Sequence, residues 1–367
     1  MRAPDHGPPP DLRPLPADLS LELVPRDRAV DVPNPPPPLL TCTEDQVAPP
    51  GAQGKRPLRV GYDVVPLCDG WVYVSDREAK HVQLLNVFTG EVRQTYALPA
   101  GGGFLTLDAE AALLYVTLYQ PEEMAQDLAR IDLKSGQVGT VKLGMPAASA
   151  ALLDDGFVFV YLYDNHGTPP EVYAILDRAG SVRTTIEVPW QEWLFNGLPV
   201  VAWSPLLKRL YLGTLGSVKL VKASVDTQAL TVSLEQETPV PGTGIDLRIS
   251  ADGKHLLHAM MEQSLPVWDP KDLTAPPSDW SAIYYPSGVD FNADGSRVAV
   301  ADVDKDHQFE SRLAVYRASD RKLLAGPVWL QLPQTRLRFS RGGRILFSVD
   351  RPPGTNALRW WVPPVAP

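Results

Sequence analysis

Seven tight-turn signals recur along this chain, near positions 69, 109, 155, 206, 252, 294 and 342, at spacings of 40 to 51 residues. Four are Asp-Gly pairs: Asp69-Gly70, Asp155-Gly156, Asp252-Gly253 and Asp294-Gly295. The other three are Asp108-Ala109-Glu110, Pro205-Leu206-Leu207-Lys208 and Gly342-Gly343. Glycine supplies positive φ and aspartate tolerates it, so such pairs are hairpin turns with a physical cause. Each is followed by a short apolar run, as in Trp71-Val72-Tyr73-Val74, and then by further strand and turn segments, as in Val82 to Val87 and Thr89-Gly90. A unit of this length holding four short strands cannot bury both its faces alone. It must stack on its neighbours, and radial stacking of such units gives a β-propeller. The spacing therefore predicts an all-β fold: seven four-stranded antiparallel blades.

The two ends of the chain bear on how the ring closes. Strands are expected near 344–349 and 357–362, after which the sequence stops at Pro367 and the last blade lacks an outermost strand. Residues 57–62 (PLRVGY) are expected to supply it, which removes the open edge. Residues 1–56 hold 14 of the 38 prolines, including Pro35 to Pro38. Proline has no N–H and fixes φ, so this segment reads as an extended arm or linker, with the propeller over 57–364. Only Leu19 to Val24 alternates as a strand does. The stretch 121–131 (PEEMAQDLARI) is expected to form one or two helical turns inside a loop.

The turn Asp69-Gly70, the strand Val72-Tyr73-Val74-Ser75-Asp76 and the turn Thr89-Gly90 resemble the YVTN-type repeat pattern. Trp268-Asp269, closing Leu265-Pro266-Val267, resembles the dipeptide of WD repeats, although their Gly-His partner motif is absent. The resemblance to the WD-repeat and YVTN-type propeller superfamily spans most of 57–364. It implies a scaffold or binding role.

The formal net charge is −9, which disfavours broad binding to nucleic acid or anionic membrane. No run of 18 apolar residues occurs, so membrane insertion is not expected. The N-terminus lacks a signal-peptide pattern, and with Met1 as the native start the chain reads as cytoplasmic. Its two cysteines, Cys42 and Cys68, lack metal-type spacing and read as free thiols or a single bridge.

Several residues are candidates for function. Loops between the second and third strands share one face of a propeller, and here most carry carboxylates, which reads either as an acidic binding face or as ordinary solvated turns. Glu122, Glu123, Asp164 and His166 fall in these loops, and Trp190 and Trp193 fall between the third and fourth blades as anchor candidates for a partner protein. Asp302, Asp304 and Asp306 fit positions 1, 3 and 5 of a calcium loop, with Glu310 as a fourth oxygen donor. His307 stands where glycine is favoured and Leu313 where a bidentate acid is needed. His166 and His307 with Asp164 and Asp306 form a weaker metal or acid/base cluster. His255 and His258, three apart on a strand, point to opposite faces and do not share a metal. Trp71, Trp203 and Trp329 suit blade cores.

No nucleophile elbow or phosphate loop occurs. The expectation is a non-catalytic protein–protein interaction scaffold with no cofactor beyond a candidate calcium. One alternative is a metal-dependent lactonase or other hydrolase working in the central channel. The other is small-ligand or cation binding on the acidic loop face.

Overall fold

The computed structural model describes residues 40–364 apart from 47, 120–125, 163–170, 189–198, 215–218, 241, 262–263, 304–310, 331–333 and 351–356. By contacts the chain divides into Met1–Val32 and Pro33–Pro367, and the first unit lies outside the described residues. Among the described residues, no helix is long and apolar enough to cross a membrane.

A first strand, β1 (Gln53–Pro57), precedes the ring. The first blade is β2 (Gly61–Pro66), β3 (Trp71–Asp76), β4 (His81–Asn86) and β5 (Val92–Ala97). The second is β6 (Gly101–Asp108), β7 (Leu113–Tyr119), β8 (Asp127–Asp132) and β9 (Val138–Lys142). The third is β10 (Ala147–Leu152), β11 (Val158–Leu162), β12 (Glu171–Leu176) and β13 (Val182–Val188). The fourth is β14 (Pro199–Ser204), β15 (Arg209–Thr214), β16 (Lys219–Asp226) and β17 (Thr231–Pro239). The fifth is β18 (Thr243–Ile249), β19 (Leu256–Met261), β20 (Leu265–Trp268) and β21 (Ser278–Trp280). The sixth is β22 (Gly288–Phe291), β23 (Arg297–Val303), β24 (Ser311–Arg317) and β25 (Leu323–Leu330). The seventh is β26 (Gln334–Phe339), β27 (Leu346–Asp350) and β28 (Ala357–Trp361), completed by β1.

All seven turn signals join a blade's first strand to its second. A residue with positive φ stands at each: Asp69, Ala112, Asp155, Lys208, Gly253, Gly295 and Gly343. Strand alternation then distributes the core. In β3, Trp71 and Tyr73 pack toward the second blade, and Val72 and Val74 pack toward the seventh. The same division recurs around the ring, giving seven apolar clusters, one per blade-to-blade interface. This is why all six residues of β3 are buried: both faces of the blade meet a neighbour.

Three local expectations are corrected. The closing strand is Gln53–Pro57, pairing antiparallel from Gln53↔Trp361 to Pro57↔Ala357, and Gly61–Pro66 is the first blade's innermost strand instead. The burial of Gln53–Pro57 alternates between exposed and half-buried, so that strand carries no apolar signature to read. Asp127–Asp132, expected within a helical stretch, is strand β8, whose Leu128, Ala129 and Ile131 enter the core; tertiary burial overrides local helix preference there. Trp329, expected in a blade core, is 46 % exposed on an outermost strand.

Residues 40–46 are built into the ring on the face of the first-strand turns. Leu40 is buried against Leu67 and Trp71, and its carbonyl accepts a hydrogen bond from Arg341. Asp45 is 5 % exposed. Its carboxylate accepts from Ser340 Oγ at 2.6 Å and from the backbone N–H of Arg344 at 3.2 Å and Asp69 at 3.1 Å. One side chain thus ties the turns of blades seven and one, the two blades that close the ring. Cys42 and Cys68 are disulfide-bonded, with Cα atoms 6.1 Å apart and a sequence separation of 26.

Bridging that loop is expected to contribute about 3 kcal/mol, because it restricts the unfolded chain. Reductant should lower the urea midpoint accordingly, and a Cys42→Ser/Cys68→Ser double variant should match the reduced protein and ignore reductant. A midpoint that reductant leaves unchanged would refute this contribution.

Candidate functional site

The innermost strands surround a central channel holding a cavity of about 310 Å3. Five of these strands, β2, β6, β10, β18 and β26, carry a register shift against their neighbours, at Gly61/Val64, Gly102/Leu105, Ala147/Ser149, Gly244/Asp246 and Thr335/Arg338. A bulge sets two residues against one and re-aims side chains. Residues inside or bordering these bulges, Asp63, Phe104, Ser149, Asp246, Arg336 and Arg338, line the cavity.

The channel wall has two halves. Phe104, Leu105, Ala150, Val200 and Val201, from blades two to four, form the apolar half, with Ser149 among them. Asp63, Asp246, Arg248, Asp290, Arg336 and Arg338, from blades one and five to seven, form the charged half, beside Val64, Val65, Pro66 and Leu247 of blades one and five.

The three aspartates share one device: each accepts a backbone N–H from the next blade's innermost strand. Asp63 Oδ2 accepts from Leu105 at 3.0 Å, Asp246 Oδ2 from Val289 at 3.4 Å, and Asp290 Oδ2 from Phe339 at 2.8 Å. The arginines then balance them. Arg338 Nη1 lies 3.1 Å from Asp246 Oδ2, and its Nη2 lies 3.9 Å from Asp63 Oδ1. Arg248 reaches Asp246 at 3.4 Å and Asp290 at 3.3 Å.

Burial dominates the titration of this cluster, because desolvation disfavours the charged form of a carboxyl. It pushes Asp63 upward, against the charges of Arg336 and Arg248 and the N–H of Leu105. It pushes Asp290 to about 7, against Arg248 and the Phe339 N–H and with the like charge of Asp246. Burial works against the Arg248 cation too, but Asp246, Asp290 and Asp63 outweigh it and hold its pKa above the ordinary value.

Arg336 differs from the other two arginines. Among the described residues no carboxylate stands within ion-pair distance of it. Its Nη1 donates to the Ile245 carbonyl at 3.1 Å. Its guanidinium lies 4.2 Å from the centre of the Phe104 ring, which packs edge-on against Tyr62 at 5.2 Å. Arg336 also has φ of 54°, a left-handed backbone that costs a non-glycine residue about 1–3 kcal/mol and persists only where its surroundings enforce it. The strain and the bulge together place this side chain from blade seven against blades two and five.

The channel residues were missed at the sequence level because the bulges hide them. Period-two alternation cannot tell which residue of a bulged strand faces inward. The residues named from the sequence fare differently. Trp190, Trp193, Asp164, His166, Glu122, Glu123, Asp304, Asp306, Glu310 and His307 lie outside the described residues. Asp302 is described: it is 2 % exposed, and both its oxygens are held by Arg312, at 2.8 and 2.7 Å, with the Tyr284 N–H at 3.3 Å. A cation there would have to displace the guanidinium. Asp76 and Asp350 stand at matching ends of their blades' second strands and are also buried. Asp76 caps the Arg59 and Ala79 N–H groups at 2.8 and 2.9 Å, and Asp350 pairs with Arg359 at 2.5 Å. Asp76 and Asp302 thus tie loops to their blades, and Asp350 ties the second strand of its blade to the third. Among the described residues, no three His, Cys, Asp or Glu side chains are grouped to hold a metal. His258 is fully buried while His255 is only half-buried, in keeping with their opposite faces.

No protein-family model and no curated protein matches the sequence. Solved structures do match the fold. The β-propeller domain of Cps50 (Swd1) from Myceliophteria thermophila superposes with a TM-score of 0.61 at 13 % identity, over 85 % of this chain and 99 % of that one. Hydrazine synthase from Kuenenia stuttgartiensis superposes with a TM-score of 0.62 at 12 % identity, over 83 % of this chain and 96 % of that one. The chain is a seven-bladed β-propeller. At these identities the likeness is one of fold and carries no activity across.

Proposed function

We propose that this propeller is a non-catalytic recognition module that holds a partner protein through its loops and its proline-rich N-terminal arm. The observation that supports this most is the anchoring of residues 40–57. Leu40, Cys42, Asp45 and β1 fix that segment to blades seven and one. The proline-rich sequence before it is therefore tethered at one defined point of a rigid ring. Proline-rich chain offers a preformed, low-entropy ligand for aromatic grooves. In this reading Trp190 and Trp193 are the anchors on the loop face, and Glu122, Glu123, Asp164 and His166 are its polar contacts. The fold likeness to the Cps50 (Swd1) propeller is in keeping with a scaffold. The disulfide supports a location in an oxidising compartment in place of the cytoplasmic expectation.

A second reading, a hydrolase working in the channel, draws on Asp290, whose carboxyl at about 7 suits proton transfer at neutral pH.

Isolation from its own cells after cross-linking is expected to yield one stoichiometric partner. Deleting residues 1–39, or the double change Trp190→Ala/Trp193→Ala, should weaken that association at least about tenfold. Recovery of the chain alone, or a partner indifferent to both changes, would sink the proposal.

A further inference from the structure

We propose that the central channel is a binding site for a small organic monocarboxylate with an apolar body. Its head would sit on Arg336 and Ser149, and its body on the wall formed by Phe104, Leu105, Val200 and Val201. This goes beyond the recognition role and does not depend on it.

Four observations converge. The cavity, about 310 Å3, has the size of a small-molecule pocket. Its wall is divided into an apolar arc and a charged arc, which matches an amphiphile rather than a uniformly polar solute. The charged arc holds a guanidinium, Arg336, with no carboxylate at ion-pair distance among the described residues, although it is presented by a bulged and strained strand. Ser149 is 3 % exposed and lines the cavity, and its Oγ has no hydrogen-bond partner among the described residues. A buried hydroxyl without a partner carries a desolvation cost that a ligand acceptor would remove.

The charge of the site selects a monoanion. Three arginines face three aspartates, but burial biases Asp63 and Asp290 toward their neutral forms. Near neutral pH this tilts the arc toward positive charge. A single carboxylate restores neutrality. A dianion such as inorganic phosphate would overshoot it and meet Asp246, which accepts from Arg338 and faces the same cavity. An apolar alcohol would leave Arg336 as it is.

Calorimetric titration of the full chain with octanoate, octan-1-ol and inorganic phosphate tests the proposal. Octanoate is expected to bind with a Kd of about 1 mM or tighter, and the other two probes should not bind in that range. Arg336→Gln should weaken octanoate about tenfold or more, the loss of one charge-assisted contact. This change breaks no ion pair among the described residues, so its far-UV circular dichroism should match the parent. Ser149→Ala, a smaller perturbation, should weaken binding about threefold or more and carries the test if Arg336→Gln is unfolded. Absence of octanoate binding, octan-1-ol binding as tightly as octanoate, or unchanged affinity in the folded variants would each overturn the assignment.

Discussion

Replacing Arg338 by leucine is expected to lower the unfolding free energy by about 3–5 kcal/mol, the cost of removing one partner from a buried ion pair. The side chain is 13 % exposed, and the carboxylates it faces, on Asp246 and Asp63, are 3 % and 5 % exposed. Those carboxylates belong to blades five and one, whereas Arg338 belongs to blade seven, so the substitution leaves two buried acids under-neutralised at the axis of the ring. Leucine restores some apolar packing but no charge. The loss should shrink in acid: burial already pushes the Asp63 carboxyl upward, and without the Arg338 cation beside it the folded protein protonates it more readily, so lowering the pH returns stability that neutral solution withholds. Urea unfolding at pH 8 and pH 5 reads this directly. A loss under about 1 kcal/mol, or an equal loss at both pH values, would show that the cluster is not a neutralising centre. Arg317→Leu is the matched control. Its pair with Asp320 is roughly half exposed on both sides, and its removal should change stability by no more than about 0.5 kcal/mol.

The contrast between those two arginines shows what the sequence could and could not convey. The blade count was legible because each first-strand turn needs a residue at positive φ, and Asp-Gly advertises that need. Strand order and closure by the N-terminal segment were legible because an unpaired edge must be covered. The closing strand was misplaced because Gln53–Pro57 has no apolar periodicity to distinguish it from its neighbours. Asp302 looked like a ligand because its loop continues in alternating carboxylates. The structure shows it held by Arg312, a partner ten residues away whose role no spacing rule reveals. The channel was invisible for a deeper reason. Its charged residues come from four blades, and bulges decide which of them turn inward. Gly101 lies where the chain enters the second blade, and a Cβ there would sit 2.5 Å from the Arg77 carbonyl.

The His258 slot turns the same burial physics into a pH effect. The imidazole of His258, on β19, is fully buried. It lies against Gly244 of its own blade and Gly213 of the fourth, where a Cβ would come within 2.7 Å of Nε2. Among the described residues, neither ring nitrogen has a hydrogen-bond partner. Burial holds its pKa near 4, against the attraction of Asp246, whereas the free side chain titrates at 6.5. Between those values the unfolded chain binds a proton that the folded chain refuses. Stability from this group is therefore full above pH 6.5 and falls by about 3 kcal/mol as the pH drops to 4. Asp290 works the other way. Its folded pKa of about 7 lies above the ordinary 3.8, so the folded chain keeps a proton that the unfolded chain has lost, and stability falls as the pH rises through the same window. The two slopes oppose, so the pH dependence of the parent protein alone isolates neither. His258→Leu removes one of them. The free-energy difference between variant and parent, in which the aspartate contribution cancels, should move in the variant's favour by about 3 kcal/mol between pH 7.5 and 4. A difference that stays constant over that range would mean that His258 is protonated in the fold, which a fully buried imidazole without a hydrogen-bond partner does not permit.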